Sequence, residues 1–118
     1  MKLTIERSKW FRGHGPDHSK LLRADGKMCC LGFYCLALGM TQTHILDVAD
    51  PNDAMKNLRL WPRGAWLITK EDGDFRTNSS DCHDLMHMND KFDINQADRE
   101  IEITKMFAKH KVQVEFVD

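Results

Sequence analysis

The sequence predicts an α+β domain, a small and mostly antiparallel sheet with two or three helices packed on one face. Three observations lead there. Short runs of period two stand at both ends of the chain, Leu3 and Ile5 near the start and Val112, Val114 and Phe116 near the finish. Helical patterns lie between them without regular strand–helix–strand alternation, which argues against a parallel doubly wound sheet. Asp25-Gly26 and Asp72-Gly73 each punctuate two strand-like runs, the signature of local hairpins.

The elements follow in order. Leu3 and Ile5 alternate with Lys2, Thr4 and Glu6, a short strand with one buried face. After Trp10-Phe11-Arg12-Gly13 comes a loop at His14–His18. Leu21-Leu22-Arg23 and Lys27-Met28-Cys29 flank the first turn. A helix then runs from about Cys30 to Leu38 and stops at Gly39. Its apolar residues occupy nearly every face, so it is predicted to be buried almost all round. Ile45, Leu46 and Val48 suggest a helical turn, and Asp50-Pro51-Asn52-Asp53 a cap or turn; Trp61-Pro62-Arg63-Gly64 reads as a loop. Ala65–Thr69 reads as a strand and Phe75-Arg76-Thr77 as its return. Ser79 or Ser80 can cap a helix through Cys82, Leu85, Met86 and Met88. Asp93-Ile94-Asn95 caps a helix from about Gln96 to His110, with Ile101, Ile103, Met106, Phe107 and Ala108 as its apolar side. Val112, Val114 and Phe116 form the closing strand.

A chain of 118 residues suits one domain with a core of its own, spanning residues 1–118. Its 42% apolar and 30% charged residues are those of a soluble globular protein, not a disordered one. The longest apolar run, Met28–Met40, is too short to cross a membrane, and the first residues lack the apolar segment of a signal peptide. The expected setting is therefore a cytosol, where thiols stay reduced. The net charge of −1 gives no global sign of a nucleic-acid partner. Charge is uneven, however. Residues 1–27 hold seven bases against three acids, net +4, and residues 71–102 hold ten acids against three bases, net −7. Such bipolarity can steer a charged partner, or the two regions can neutralise each other in the fold.

Chemistry-bearing residues cluster around Cys29-Cys30-Leu31-Gly32. A thiol at a helix N-terminus is held toward thiolate by the helix dipole, so Cys30 or Cys29 is a candidate nucleophile. Its base would come from His14, His18, His83, His87 or His110, with Asn89 or Asp90 orienting it, a logic resembling papain-like hydrolases. The opposing reading is that Cys29, Cys30 and Cys35 pack as small apolar side chains. His83 and His87 stand four apart on a helix and share a face, a spacing that can hold a metal such as zinc. There is no Cys-x-x-Cys pair and no HExxH glutamate beside them, and no cofactor is otherwise indicated. The loop Asn89–Asn95 lacks the central glycine and closing glutamate of a calcium loop, which favours helix capping. Trp10, Phe11, Trp61 and Trp66, near Lys9, Arg12 and Arg63, could stack on bases or serve as core anchors.

The pattern KWFRGHG…SKLLRADGKMCCLGFYCLALG…DLMHMNDKFD…DREIEITKMFAKHKVQVEFVD covers most of the chain. It resembles a family of small uncharacterised proteins encoded by bacteriophages and prophages, with a CCLGF-type helix start and a later Asn-Asp before the last helix. The resemblance implies a phage setting in the cytosol of an infected host. It implies no reaction. The expected function is a small accessory protein that binds a host or defence-system component, inhibition of an immune effector being one version. Two alternatives stay open: a hydrolase or transferase using Cys30 or Cys29 with a histidine, and a metal-stabilised binding module built on His83 and His87.

Overall fold

A computed structural model describes residues 1–15, 19–49, 54, 68–71, 74–77 and 79–118. The element order is β1 (Lys2–Glu6), a 3₁₀ turn (Arg7–Lys9), α1 (Cys30–Ala37), α2 (Gln42–Ile45), β2 (Ile68–Glu71), β3 (Asp74–Thr77), α3 (Ser79–Asp90), α4 (Gln96–Ala108) and β4 (Gln113–Val117). The readings at His18, 50–53, 61–64 and 65–67, with Trp61, Arg63 and Trp66 among them, lie outside the described residues.

The sheet expectation needs correction. Among the described residues the two ends of the chain pair directly, β1 with β4, and they run parallel, with Lys2 opposite Gln113 and Glu6 opposite Val117. Four helices among the described residues accompany this two-stranded sheet. Antiparallel pairing of strands is found, among the described residues, in the separate ribbon β2–β3. Alternation of apolar residues marks a strand and its buried face, but it carries no information on the partner or its direction. The Asp25-Gly26 turn does form, with Gly26 N donating to Arg23 O at 2.9 Å and Arg23 N to Lys27 O at 2.8 Å. Its flanks then pair elsewhere, Met28 with Trp10 and Leu22 with Leu46, as isolated parallel bridges.

The core sits between β1, α1, α3 and α4. Leu3 and Ile5 are buried on one face of β1. In α1, Cys30 through Cys35 are all buried, as the all-round apolar pattern predicts. Tyr34 of α1 meets Phe107 of α4, ring centroids 5.7 Å apart. The apolar stripe of α4 differs from its prediction. Ile101 and Ala108 face outward, and the buried residues are Arg99, Ile103 and Phe107. Asn95 caps that helix, its side chain accepting from Asp98 N at 2.8 Å, so the 89–95 loop is built for capping. Among the described residues no helix is long and apolar enough to cross a membrane.

Candidate functional site

Helix α1 begins without a cap of its own, since the Cys29 side chain makes no capping hydrogen bond. The cap comes from the last turn of α3. Asn89 Oδ1 accepts the Cys30 backbone N–H at 3.0 Å, and the same oxygen accepts Trp10 Nε1–H at 2.7 Å. Asn89 Nδ2 donates to Phe11 O at 3.1 Å and to Asp90 Oδ1 at 3.0 Å. Asn89 is fully buried, and its amide uses both lone pairs and both protons. Asp90, also buried, accepts the Ser19 hydroxyl through the same Oδ1. The backbone carbonyls of Asn89 and Asp90 accept Gly13 N and Gly15 N, each at 2.9 Å. The Cys-Cys-Leu-Gly helix start and the later Asn-Asp are therefore two halves of one junction.

This junction also sets the surroundings of the thiols. All four cysteines are buried thiols. Cys30 Sγ is completely shielded and donates weakly to Leu85 O at 3.9 Å; no histidine among the described residues reaches it. Burial pushes the Cys29 thiol up to about 12, and Cys30 well above the ordinary thiol range by burial first and by neighbouring Cys29 and Asp90 next. The backbone amides at the helix start act the other way and lose to desolvation. At neutral pH that burial favours the protonated thiol at both positions, which opposes a nucleophilic role. Iodoacetamide at pH 7 is thus expected to leave Cys29 and Cys30 unmodified in the folded chain and to label both after denaturation. Labelling of either in the native state would restore the cysteine-enzyme reading.

Gly32 has a structural use as well. A Cβ built there would lie 1.9 Å from the Leu21 carbonyl oxygen, so the chain's own backbone fills the space beside this glycine.

His83 and His87 lie together on α3 and both are exposed. With Met86 and Phe92, itself 80% exposed, they line a groove of about 470 Å³ on the surface, and Cys30 is not part of its lining. Among the described residues no group of three or more His, Cys, Asp or Glu side chains stands close enough to hold a metal. His14 stacks on Phe11, ring centroids 4.6 Å apart.

A second cleft opens next to the junction, about 410 Å³, lined among others by Arg12, His14, Lys27, Gln96 and Arg99. Arg12 lies over the Trp10 ring at 4.6 Å and is held by Gln96 Oε1, Arg7 O and Trp10 O. Arg99 is only 4% exposed. Its Nη1 donates to Met88 O and Asn89 O, each at 3.0 Å, and its Nη2 to Ile94 O at 3.4 Å. Gly13, at φ +76°, lets the loop close over this guanidinium; a Cβ there would sit 3.1 Å from Arg99 Nη2. Neither Arg12 nor Arg99 pairs with a carboxylate among the described residues. Burial lowers the pKa of both, and Arg12 lowers that of Arg99 further. Nearby Glu100 is already taken by Arg7, through Nε–Oε2 at 3.0 Å and Nη2–Oε1 at 2.8 Å.

Of the residues singled out from sequence, the fold brings Cys29, Cys30, Asn89 and Asp90 together in the interior and leaves His83 and His87 exposed on α3. Arg99 was missed. Its signal is its phase: it lies four and eight residues before Ile103 and Phe107, on the apolar stripe where a charge is out of place. No protein-family model, no curated protein and no solved structure matches the chain.

Proposed function

We propose that this is a small, non-enzymatic accessory protein of phage origin that works in the cytosol of an infected host and binds a host or defence-system component. One observation carries the reading. The groups that could do covalent chemistry, Cys29 and Cys30 with Asn89 and Asp90, are buried and used by the fold, while cationic donors lining the adjoining cleft have no direct carboxylate partner among the described residues. A surface that keeps unpaired charge in such a cleft is suited to meeting a partner of opposite charge. The phage resemblance supplies the setting. It rests on the CCLGF-type helix start and the Asn-Asp pair, which the Asn89–Cys30 hydrogen bond ties together. Inhibition of an immune effector is the version of this function that best suits a small phage protein devoted to binding.

The test is capture from host lysate by the full tagged chain, followed by size-exclusion chromatography and mass spectrometry. A partner is expected to co-elute at stoichiometric level. Recovery of the chain alone, across lysates of susceptible hosts, would count decisively against the reading.

A further inference from the structure

We infer that the Arg12–Arg99 cleft binds a phosphate monoester, carried by a side chain of the partner protein. The inference deepens the binding reading above and rests on it for the identity of the carrier alone.

The donors come first. Arg99 Nε is buried and is the one buried side-chain nitrogen or oxygen among the described residues without a hydrogen-bond partner. Buried donors are almost always satisfied, so an orphan on a cleft-lining arginine points to an acceptor that the chain does not supply. Arg12 adds its Nη2, which makes no hydrogen bond among the described residues, where Nε and Nη1 hold all three of its contacts. Those contacts and the Trp10 ring fix the guanidinium plane in advance, which lowers the entropy lost on binding. Lys27 is exposed on the same cleft and forms no ion pair among the described residues.

Charge then selects the ligand. Among the described residues neither guanidinium is directly paired with a carboxylate; Glu100 acts on Arg12 and Asp90 on Arg99 only through space. The direct contacts of those carboxylates go elsewhere. Glu100 is bound at two points by Arg7, and the Asp90 oxygen on this network already accepts Ser19 and Asn89. A single carboxylate would neutralise one cation. A phosphate monoester carries about −1.5 to −2 at neutral pH and offers three acceptor oxygens, and forked arginine donors match that geometry.

The carrier follows from the aromatic rings. A nucleotide would need a stacking face for its base. Phe11 already lies between contacts to the Arg23 guanidinium at 3.9 Å and the His14 ring, and Trp10 contacts Arg12 and Phe116. With those faces occupied, a phosphorylated side chain suits the cleft better than a nucleotide.

The experiment is a titration of the full chain with O-phosphoserine, with inorganic phosphate, acetate and adenosine monophosphate as comparison arms. It is followed by the side-chain Nε–H signals of Arg12 and Arg99 in proton–nitrogen correlation spectra. Both signals are expected to move saturably with phosphate and phosphoserine, with dissociation constants at or below about 1 mM, and acetate to bind about tenfold more weakly. Arg12→Gln should weaken phosphoserine about tenfold or more, the loss of one charge-assisted contact. Lys27→Gln, on the surface and outside every structural contact of the arginines, should weaken it several-fold without moving the melting temperature. Absence of saturation, or undiminished binding in both variants, would overturn the site. Tighter binding of adenosine monophosphate than of phosphoserine would overturn the protein carrier. Lysate capture separates this inference from the function it deepens. Capture that survives Arg12→Gln while phosphate binding is lost would reject the cleft as the recognition site and leave partner binding standing. Phosphate binding without any captured partner would reject partner binding alone.

Discussion

Gly32→Ala is expected to destabilise the chain by about 3 kcal/mol or more, the upper end of what overpacking costs. The sign is the informative part. On an exposed helix the same change stabilises by about 1 kcal/mol, because alanine is the better helix former. Here the new methyl would sit 1.9 Å from the Leu21 oxygen and 2.8 Å from its carbonyl carbon. Both are backbone atoms, and the segment that carries them is held on several sides. Leu21 N donates to Val48 O at 2.8 Å, Asp47 N to Leu22 O at 2.7 Å and Cys29 N to Lys20 O at 3.1 Å. The carbonyl cannot swing aside without breaking that set, so α1 would have to move off the segment. Moving α1 also pulls the Cys30 N–H from Asn89. Urea unfolding of the two proteins gives the comparison directly; a variant as stable as the parent, or more so, would show that the helix does not approach this closely.

Asn89→Ala is expected to cost about 3–5 kcal/mol, since each buried polar group stripped of its partner costs about 1–3 kcal/mol. Trp10 Nε1–H, the Cys30 N–H and the Phe11 carbonyl would each lose the amide that now satisfies them. A domain of this size loses roughly 3–5 °C of melting temperature per kcal/mol, so a fall of about 10–20 °C should be seen in a thermal scan. Against a total stability of about 5–15 kcal/mol, that is a large share for one side chain. A double-mutant cycle with Trp10→Phe isolates the indole contribution. Strict additivity of the two changes would mean that the Trp10–Asn89 hydrogen bond contributes nothing, whereas a coupling of about 1–2 kcal/mol is expected for buried groups in one network.

These two residues show where sequence reading succeeds and where it stops. The Cys30 helix, its apolar surroundings and the packing value of Gly32 are visible in the local pattern. What Gly32 packs against is not, because the Leu21 carbonyl enters from a neighbouring loop. Asn89 reads as a helix-ending residue or as an orienting group for a histidine. Its use as the cap of a helix 59 positions earlier in the chain is set by how α3 crosses α1. Arg99 can be suspected from its place on the apolar stripe of α4, yet its partners are the carbonyls of Met88, Asn89 and Ile94, which no spacing rule specifies. The sheet is the clearest case. Hairpin signals favour neighbours in sequence, and the core pairing joins residues 111 positions apart, Lys2 with Gln113.

The amino-acid sequence alone determined the strands at both ends, the burial of Cys30 through Cys35 in the first helix, the Asn95-capped last helix and the small set of residues able to do chemistry. Those properties depend on period, capping and turn preference, all of which act within a few residues. Tertiary structure decided the rest. It set β1 beside β4 in parallel and turned Cys29 and Cys30 inward, so that desolvation outweighs the helix-terminal field on their thiols. It spent Asn89 and Asp90 on the junction and left Arg12 and Arg99 without a direct carboxylate partner among the described residues. Each of those outcomes depends on which surfaces meet across distant parts of the chain, and burial and pairing energies exist only once they have met.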